Sequence, residues 1–362
     1  MSETITVHYN DKPIYDIVIR NDFDKLAECV SNLGISGRKL CIITDSNVAP
    51  LYADEVKALL ENTNNRVFVF TFNAGEENKN LDTVQDAYEF LIQNKFDRKD
   101  MLVALGGGVV GDLTGFTAAS YLRGIDFIQI PTTLLAQVDS SIGGKTGVDF
   151  RAYKNMVGAF HQPKLVYMNI DTLNSLSSRL FNSGFGEIIK HGLIKDKTYY
   201  EWLKQNVSNI KNREPEVLEE MVAKSCNIKR CVVELDPTEK GDRALLNFGH
   251  TLGHAIEKNM NFQMIHGHCV GVGSLAAAFL SARRGLISMN EVEKLKQLML
   301  DFHMPVSVKN LKTADIIAAT KNDKKMDGGV IRFILLQNIG TAFIDCSVTE
   351  TEMADALSYI ID

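Results

Sequence analysis

Long apolar runs are absent from this sequence. None of its 362 residues lies in a run that approaches the roughly 18–20 apolar residues needed for a membrane-spanning helix. The opening stretch Met1 to Asn10 also lacks the charged and then apolar regions of a secretory signal. We therefore expect a cytoplasmic protein that has no membrane partner.

Paired cysteines and an excess of positive charge are missing too. The six cysteines are scattered, and the nearest two, Cys226 and Cys231, lack the C-x2-C spacing of a zinc ribbon. This pattern indicates reduced thiols rather than a disulfide framework. The formal net charge of -6 argues against the basic face that nucleic-acid binding requires. An acidic protein that binds a phosphate must therefore gather its lysines and arginines locally.

The first part of the chain alternates short apolar runs with amphipathic stretches such as Val48–Glu61 and Asn80–Gln93. This alternation predicts a parallel sheet covered on both faces, since buried parallel strands consist of short apolar runs. An opening antiparallel hairpin is predicted from Ile5–Tyr9 and Ile14–Ile19. The predicted parallel strands are Lys39–Thr44, Arg66–Phe72, Met101–Leu105, Phe127–Ile130 and Leu165–Ile170.

The second part changes to helical spacing, with one late hairpin predicted from Ile331–Leu336 and Thr341–Ile344. We therefore expect an α/β domain with a mainly parallel sheet over residues 1–175 and a mostly α-helical domain over 176–362. Ligand sites favour the cleft between two such domains. The predicted helices are Phe185–Ile194, Tyr199–Asn212, Pro215–Val232, Asn247–Asn259, Val270–Arg284, Met289–Leu300 and Thr313–Thr320.

Two glycine-rich segments follow predicted strands. Gly106–Asp112 joins a strand to a helical stretch, where free backbone N–H groups and the helix dipole suit a phosphate or pyrophosphate. Its glycines do not have the G-x-G-x-x-G spacing of a Rossmann fold, so a different dinucleotide-binding fold is predicted. Pro131–Asp149 contains the G-G-K-T of a Walker loop, but Asp139 stands where that loop needs its first glycine. This departure argues against an NTPase.

A cluster of histidines lies in the helical part. His250 and His254 are four residues apart on one helix face, and His266 and His268 follow shortly after. Glu187 supplies a carboxylate earlier in the chain. Catalytic zinc takes three protein ligands and keeps one position open. The cluster therefore predicts a metal site, although the spacing leaves open which two histidines join Glu187.

Taken together, these segments resemble the dehydroquinate synthase family of sugar phosphate cyclases over nearly the whole chain. The resemblance implies the fold of that family, a homodimer, and a sugar-acid phosphate as substrate. It also implies NAD and one zinc or cobalt ion as cofactors, and it implies 3-dehydroquinate synthase activity. The matching motifs are Gly75–Lys79, Gly106–Asp112, Pro131–Asp149, Lys154–Phe160, Gly186–Gly192, Leu246–His254 and His266-Gly267.

The resemblance also implies a role for individual residues. Glu187, His250 and His266 match the metal ligands. His254 matches the family's proton-transfer residue. The other residues that match catalytic positions are Lys145, Lys190, Arg243 and Asn247. NAD positions are matched by Asp45, Glu76, Lys79, Gly108, Val109, Val110, Gly111, Asp112, Thr132, Thr133, Lys145, Lys154, Thr172, Leu173, Asn174 and Ser175. Substrate positions are matched by Arg123, Asp139, Lys145, Lys154, Asn155, Lys190, Lys229, Arg243, Asn247 and Lys325, the last with its neighbour Lys324 as an alternative.

Two departures and three rival interpretations accompany the resemblance. Leu176–Leu180 differs from the usual helix entry, and His268 stands where the family commonly has another residue. The rivals are a metal-dependent alcohol dehydrogenase of the glycerol dehydrogenase kind, a cyclase that makes a valiolone or inosose, and a non-catalytic binding protein. The many lysines and arginines at substrate positions disfavour the dehydrogenase, because a small polyol needs no phosphate pocket.

Overall fold

The structure, a computed structural model, describes residues 3–151, 153–324 and 331–362. Backbone contacts divide the chain into two compact units. The first consists of Met1–Leu176 with Leu218–Arg230, and the second of Ser177–Val217 with Cys231–Asp362. The sequence predicted one boundary at 175/176. The structure differs in that Leu218–Arg230 groups with the first unit.

The first unit is built on a seven-stranded sheet in the order β1-β2-β9-β6-β5-β3-β4. Strands β1 and β2 pair antiparallel, and the other neighbours in this sheet pair in parallel. The predicted opening hairpin and mainly parallel sheet are therefore confirmed. A separate antiparallel hairpin, β7–β8, was not predicted. The strands are β1 (Glu3–Tyr9), β2 (Lys12–Arg20), β3 (Lys39–Asp45), β4 (Arg66–Phe72), β5 (Met101–Gly106), β6 (Asp126–Pro131), β7 (Lys145–Phe150), β8 (Tyr153–Phe160) and β9 (Leu165–Asn169).

Both faces of this sheet are covered, because successive side chains of a strand point to opposite faces. In β3, Leu40 and Ile42 pack in one apolar cluster and Cys41 and Ile43 in the other. Helices α1 and α2 contribute to the first cluster, and α3 and α4 to the second. The helices are α1 (Leu26–Ser31), α2 (Asp54–Glu61, after a π-helical turn Ala49–Ala53), α3 (Leu81–Gln93) and α4 (Gly108–Ser120).

The second unit is mostly helical, as predicted, and α9 supplies Leu218–Arg230 to the first unit. The predicted helix Tyr199–Asn212 is wrong as a single element, because it divides into two helices at Asn206. The predicted late hairpin is confirmed. The elements are α5 (Ser178–Ser183), α6 (Phe185–Lys195), α7 (Lys197–Gln205), α8 (Val207–Lys211), α9 (Pro215–Leu235), α10 (His250–Asn259), α11 (His266–Arg283), α12 (Met289–Asp301), α13 (Thr313–Lys324), β10 (Phe333–Asn338), β11 (Thr341–Asp345) and α14 (Glu350–Ser358).

None of the helices in the described ranges is long and apolar enough to cross a membrane.

Candidate active site

Three helix starts of the second unit bring Glu187, His250 and His266 together. Glu187 lies in the first turn of α6, while His250 and His266 are the first residues of α10 and α11. The Nε2 atom of His250 is 3.5 Å from Glu187 Oε1, and that of His266 is 3.6 Å from the same oxygen. Glu187 is fully buried, and no described residue donates a hydrogen bond to its Oε1. Such an oxygen is unfavourable unless a cation or donor satisfies it.

Glycines make this convergence possible. A Cβ on Gly186 would lie 2.1 Å from the carbonyl oxygen of Gly267, so α6 and α11 can approach this closely only without side chains there. Gly249 precedes α10 with φ +80, a left-handed conformation that glycine adopts without steric cost. These positions set the distance between Glu187 and the two histidines. The predicted helix Asn247–Asn259 therefore begins at His250, after the 3-10 turn Asp242–Asn247 and Gly249.

The other ring nitrogens of the two histidines also have acceptors. His250 Nδ1 lies 3.2 Å from the carbonyl oxygen of Phe248, and His266 Nδ1 lies 3.4 Å from Glu257 Oε2. A carbonyl oxygen and a carboxylate only accept, so each contact favours the proton on Nδ1. With a metal ion bound, each Nε2 lone pair would then be directed at that ion. Sequence reasoning missed Glu257, whose signal is its position seven residues after His250 on the same helix.

The donor set fits a zinc-like ion. Zinc bonds to nitrogen and carboxylate oxygen are about 2.0–2.2 Å long, so two ligands of a tetrahedral site lie about 3.3–3.5 Å apart. The separations of 3.5 and 3.6 Å from Glu187 Oε1 to the two Nε2 atoms are close to this value. Nitrogen and carboxylate donors also suit zinc and cobalt better than a hard ion such as Ca²⁺.

His254 offers a further nitrogen at the edge of the cluster. Its ring centroid is 5.0 Å from that of His250 and 5.7 Å from that of His266, and the three histidines could themselves hold a metal. His254 is exposed, however, whereas Glu187 is fully buried. His268 is outside the metal-capable groups found among the described residues. Burial and the nearby charge of Arg179 lower the pKa of His268 to about 4.

Burial and neighbouring charges shift the pKa values of Glu187, His250 and His266 in different directions. Burial opposes a charge on Glu187, but Lys190 and the two histidines hold the pKa of Glu187 well below its usual range. Burial lowers the pKa of His250 well below its usual range, which favours the neutral imidazole that binds metals. Burial also opposes a charge on His266, but its contacts with Glu187 and Glu257 raise the pKa of His266 to about 9.

Three more predicted residues lie on α6, which carries Glu187, or on a turn that packs against α6. Lys190, one turn after Glu187, is buried and donates to Glu187 Oε2. Arg243 and Asn247 belong to the 3-10 turn Asp242–Asn247, which packs against α6. Arg243 is buried and donates to the carbonyl oxygen of Pro237 at 2.6 Å, while Asn247 Nδ2 donates to Glu239 Oε1 at 3.0 Å.

Apart from Lys145 and Lys154 on the hairpin β7–β8, the predicted NAD positions lie at or after the carboxyl ends of parallel strands. Because these ends share one edge of a sheet, the residues are brought to that edge. Asp45 ends β3, and its carboxylate accepts from the backbone of Asn47 and Val48. Glu76 and Lys79 follow β4, Gly108 to Asp112 follow β5, Thr132 and Thr133 follow β6, and Thr172 to Ser175 follow β9.

The turn after β5 fits a pyrophosphate. Helix α4 begins at Gly108, and the first N–H groups of a helix lack internal partners. A Cβ on Gly108 would lie 3.1 Å from Ser140 Oγ, and one on Gly111 would lie 2.8 Å from Gln129 Oε1. The two glycines therefore allow Ser140 and Gln129 to lie close to the first turn of α4.

Several predicted cations in the first unit are paired with carboxylates. Lys79 Nζ donates to Asp112 and Asn155, each at 2.6 Å. Burial alone would lower the pKa of Lys79, but Asp112 and its neighbouring carboxylates raise it.

Two further lysines are paired in the same way. Lys154 lies 3.3 Å from Glu76 Oε1. Lys229, on the part of α9 that belongs to this unit, donates to the carbonyl oxygen of Asp139 at 2.7 Å and to its carboxylate at 2.5 Å. The predicted local concentration of positive charge is therefore accompanied by acidic partners.

Three further predicted substrate positions are Lys145, Arg123 and Lys325. Lys145 is the exposed first residue of β7. Arg123 is exposed in the turn after α4, at the end opposite Gly108, and a helix of this length spans about 20 Å. Lys325 lies outside the described residues, as does the side chain of Lys324.

Two family models match consecutive parts of the chain. The model described as 3-dehydroquinate synthase N-terminal matches residues 69–183, and the one described as 3-dehydroquinate synthase C-terminal matches residues 184–326. The chain belongs to the 3-dehydroquinate synthase family. The enzyme class and the fold class implied by the motifs are thereby confirmed.

Named relatives agree with this family. The chain is 42% identical over 349 residues to the 3-dehydroquinate synthase of Acetivibrio thermocellus, covering 96% of both chains. It is 46% identical over 300 residues to that of Symbiobacterium thermophilum, covering 82% of this chain and 84% of the relative. These identities extend the family assignment over nearly the whole chain.

Solved structures of other enzymes share the fold. The 2-epi-5-epi-valiolone synthase from Streptomyces hygroscopicus, solved with NAD+ and Zn2+, is 26% identical with a TM-score of 0.89, covering 98% of this chain and 99% of that one. A glycerol dehydrogenase from Schizosaccharomyces pombe is 15% identical with a TM-score of 0.64, covering 94% of this chain and 87% of that one. The second likeness shows a shared fold alone.

Proposed function

We propose that the protein converts 3-deoxy-D-arabino-heptulosonate 7-phosphate into 3-dehydroquinate and inorganic phosphate. The identity of 42–46% to 3-dehydroquinate synthases, against 26% to the valiolone synthase, supports this substrate over that of the related cyclase. The proposed reaction belongs to the shikimate pathway, which leads to chorismate and the aromatic amino acids. A homodimer in the cytoplasm is proposed with it.

The proposed cofactors are NAD and one zinc or cobalt ion. When bound, NAD would supply the reversible oxidation at C5: it would accept the hydride of the C5–H bond and return it later in the same turnover. A metal ion held by Glu187, His250 and His266 would supply Lewis-acid polarisation of the C5 oxygen. Between the two hydride transfers the C5 ketone acidifies the C6 hydrogen, and phosphate leaves by elimination. Ring opening and an aldol closure complete the product.

Glu187, His250 and His266 are the proposed metal ligands, and the buried Oε1 atom approached by two Nε2 atoms carries this assignment. Lys190 holds the second oxygen of Glu187 and so fixes the orientation of the carboxylate. His254 is exposed beside the ligands, where a histidine can take the C5 hydroxyl proton and return it.

The remaining residues are proposed to bind either the substrate or NAD. Lys145, Lys154, Lys190, Lys229 and Arg243 are proposed to bind the substrate phosphate and carboxylate, since charge-assisted hydrogen bonds favour such pairs. Arg123, Asp139, Asn155, Asn247 and Lys325 are proposed to complete the substrate site. The proposed NAD site follows the carboxyl ends of β3, β4, β5, β6 and β9, with the pyrophosphate at the start of α4. Residues 1–175 would then form the NAD-binding domain, and 176–362 the metal- and substrate-binding domain.

The position of Arg123 supports the proposed homodimer. It lies at the end of α4 opposite the proposed pyrophosphate site, about 20 Å along the helix axis. An Arg123 that binds substrate is therefore proposed to do so in the site of a second copy.

Phosphate release from the heptulosonate phosphate tests the proposed reaction. We expect release that depends on added NAD and on the metal, without net accumulation of NADH. Net NADH formation with glycerol would instead indicate the dehydrogenase activity. Turnover of a heptulose phosphate that lacks the carboxylate, with none of the heptulosonate phosphate, would indicate the related cyclase. Bound zinc without turnover of either substrate would indicate a binding protein.

A further inference from the structure

Glu257 is a buried carboxylate next to the proposed metal site. It lies in α10, two turns after His250, and its side chain is 5% exposed. A buried carboxylate is costly unless it is paired or hydrogen-bonded. Its Oε2 atom lies 3.4 Å from His266 Nδ1, across the turn that joins α10 to α11. The family motifs discussed above assign no role to this residue.

The imidazole of His266 lies between two carboxylates. Its Nε2 faces Glu187 Oε1 at 3.6 Å and its Nδ1 faces Glu257. A ring with its proton on Nε2 would direct that proton at the place where a metal must sit. A ring with its proton on Nδ1 donates to Glu257 and leaves the Nε2 lone pair free for the metal. The contact with Glu257 therefore selects the tautomer that can bind.

His250 provides an internal comparison. Its Nδ1 faces the backbone carbonyl of Phe248 at 3.2 Å, so both proposed histidine ligands have an acceptor behind the ring. Metal-binding histidines usually have such a partner, which sets the ring orientation and raises its basicity. The partner of His250 is backbone and cannot be removed by substitution, whereas the partner of His266 is a side chain.

We propose that Glu257 is a positioning residue for metal binding, which holds His266 as the Nδ1–H tautomer with Nε2 directed at the metal. This inference rests on the proposed assignment of His266 as a metal ligand. Loss of such partners lowers metal affinity by about 10- to 100-fold. The charge of Glu257 contributes in addition to its geometry, so an amide at this position retains part of the effect.

Zinc affinity, measured by competition with a chromophoric chelator on protein dialysed free of metal, tests the proposal without turnover. We expect Glu257→Ala to weaken zinc binding by about 10- to 100-fold and Glu257→Gln to weaken it less. The matched control is Glu352→Gln, which removes a carboxylate paired with Arg284 in the same unit. It should bind zinc as tightly as the parent. Equal zinc affinity of parent and Glu257→Ala would overturn the proposal.

The tautomer of His266 can be measured directly, which tests the proposal even if Glu257→Ala destabilises the fold. Nitrogen NMR of the histidine rings, on metal-free protein at an alkaline pH where His266 carries one ring proton, should show that proton on Nδ1 in the parent and a mixed population in Glu257→Gln. An unchanged tautomer in that variant would contradict the proposal.

The His266→Ala variant separates this inference from the proposed metal site. If His266→Ala binds zinc like the parent, the assignment of His266 as a ligand fails and the proposal fails with it. If His266→Ala loses zinc but Glu257→Ala does not, the metal site stands and the positioning role alone fails.

Discussion

His250 and His266 direct their Nε2 atoms at the same buried oxygen of Glu187, at 3.5 and 3.6 Å. These three atoms are two imidazole nitrogens and one carboxylate oxygen, which together make a donor set for one metal ion. Lys190 occupies the other oxygen of Glu187 and His254 remains exposed at the edge. Substitutions can distinguish this arrangement from a metal site made of three histidines.

The metal ligands can be identified by comparing His254→Ala with His250→Ala. Both variants remove an imidazole from one face of α10, so they are matched in helix and chemistry. We expect His250→Ala and Glu187→Ala to lose tight zinc binding, because each removes a ligand. His254→Ala should keep zinc affinity but lose most turnover. Zinc affinity that falls equally in the two histidine variants would favour the set His250, His254 and His266.

The NAD site can be tested at Gly108. A Cβ there would lie 3.1 Å from Ser140 Oγ, so a larger side chain requires Ser140 or the start of α4 to shift. We expect Gly108→Leu to weaken NAD binding by about tenfold or more, since loss of hydrogen bonds to a charged group costs about 1.5–3 kcal/mol. Calorimetry measures the NAD affinity, and circular dichroism checks that the variant is still folded. Zinc affinity should stay unchanged, because the metal residues belong to the other unit. Unchanged NAD affinity would exclude a pyrophosphate at this turn.

Lys229 tests the substrate assignments. It is buried and bonded to Asp139, so Lys229→Ala removes a cation and leaves the carboxylate without this partner. We expect turnover to fall about tenfold or more while NAD affinity changes little. Arg230→Ala is the matched control, because its neighbouring guanidinium bonds Asn227 on the same helix. Weaker NAD binding with unchanged turnover at saturating NAD would reverse the assignment of Lys229.

The proposed contribution of Arg123 to the active site of a second subunit can be tested by combining two inactive variants in one dimer. Arg123→Ala and His250→Ala are each expected to be inactive. In a mixed dimer one site combines an intact metal cluster with Arg123 from the second subunit, so activity should return. Co-expression with two affinity tags isolates this dimer for assay. If the mixed dimer stays inactive, Arg123 acts on the site of its own chain or on none.

Much of the sheet could be predicted because its strands are short buried apolar runs between turn residues. Strands β3, β4 and β5 were predicted within one residue of their observed bounds. The hairpin β7–β8 was missed because its polar and glycine-rich sequence shows no alternation, and most of β8 is at least partly exposed. The break at Asn206 was missed because helical spacing continues across it.

The candidate site was only partly predictable for a physical reason. Histidine spacing identifies possible donors, but selecting among them requires distances between helices. Those distances follow from contacts such as Gly186 against Gly267, which no local pattern shows. Glu257 was missed for the same reason, since in sequence it is an ordinary helical glutamate. Its position behind His266 appears only when α10 and α11 are packed together.

The most direct test of the central proposal is a paired measurement on one sample. Phosphate release from 3-deoxy-D-arabino-heptulosonate 7-phosphate and NADH formation are followed together, with NAD supplied in an amount below that of substrate. A cofactor that is returned in each turnover predicts phosphate release far in excess of the NAD supplied, with no net NADH. Phosphate release that stops when the NAD is consumed, or NADH formed in step with product, would contradict the account.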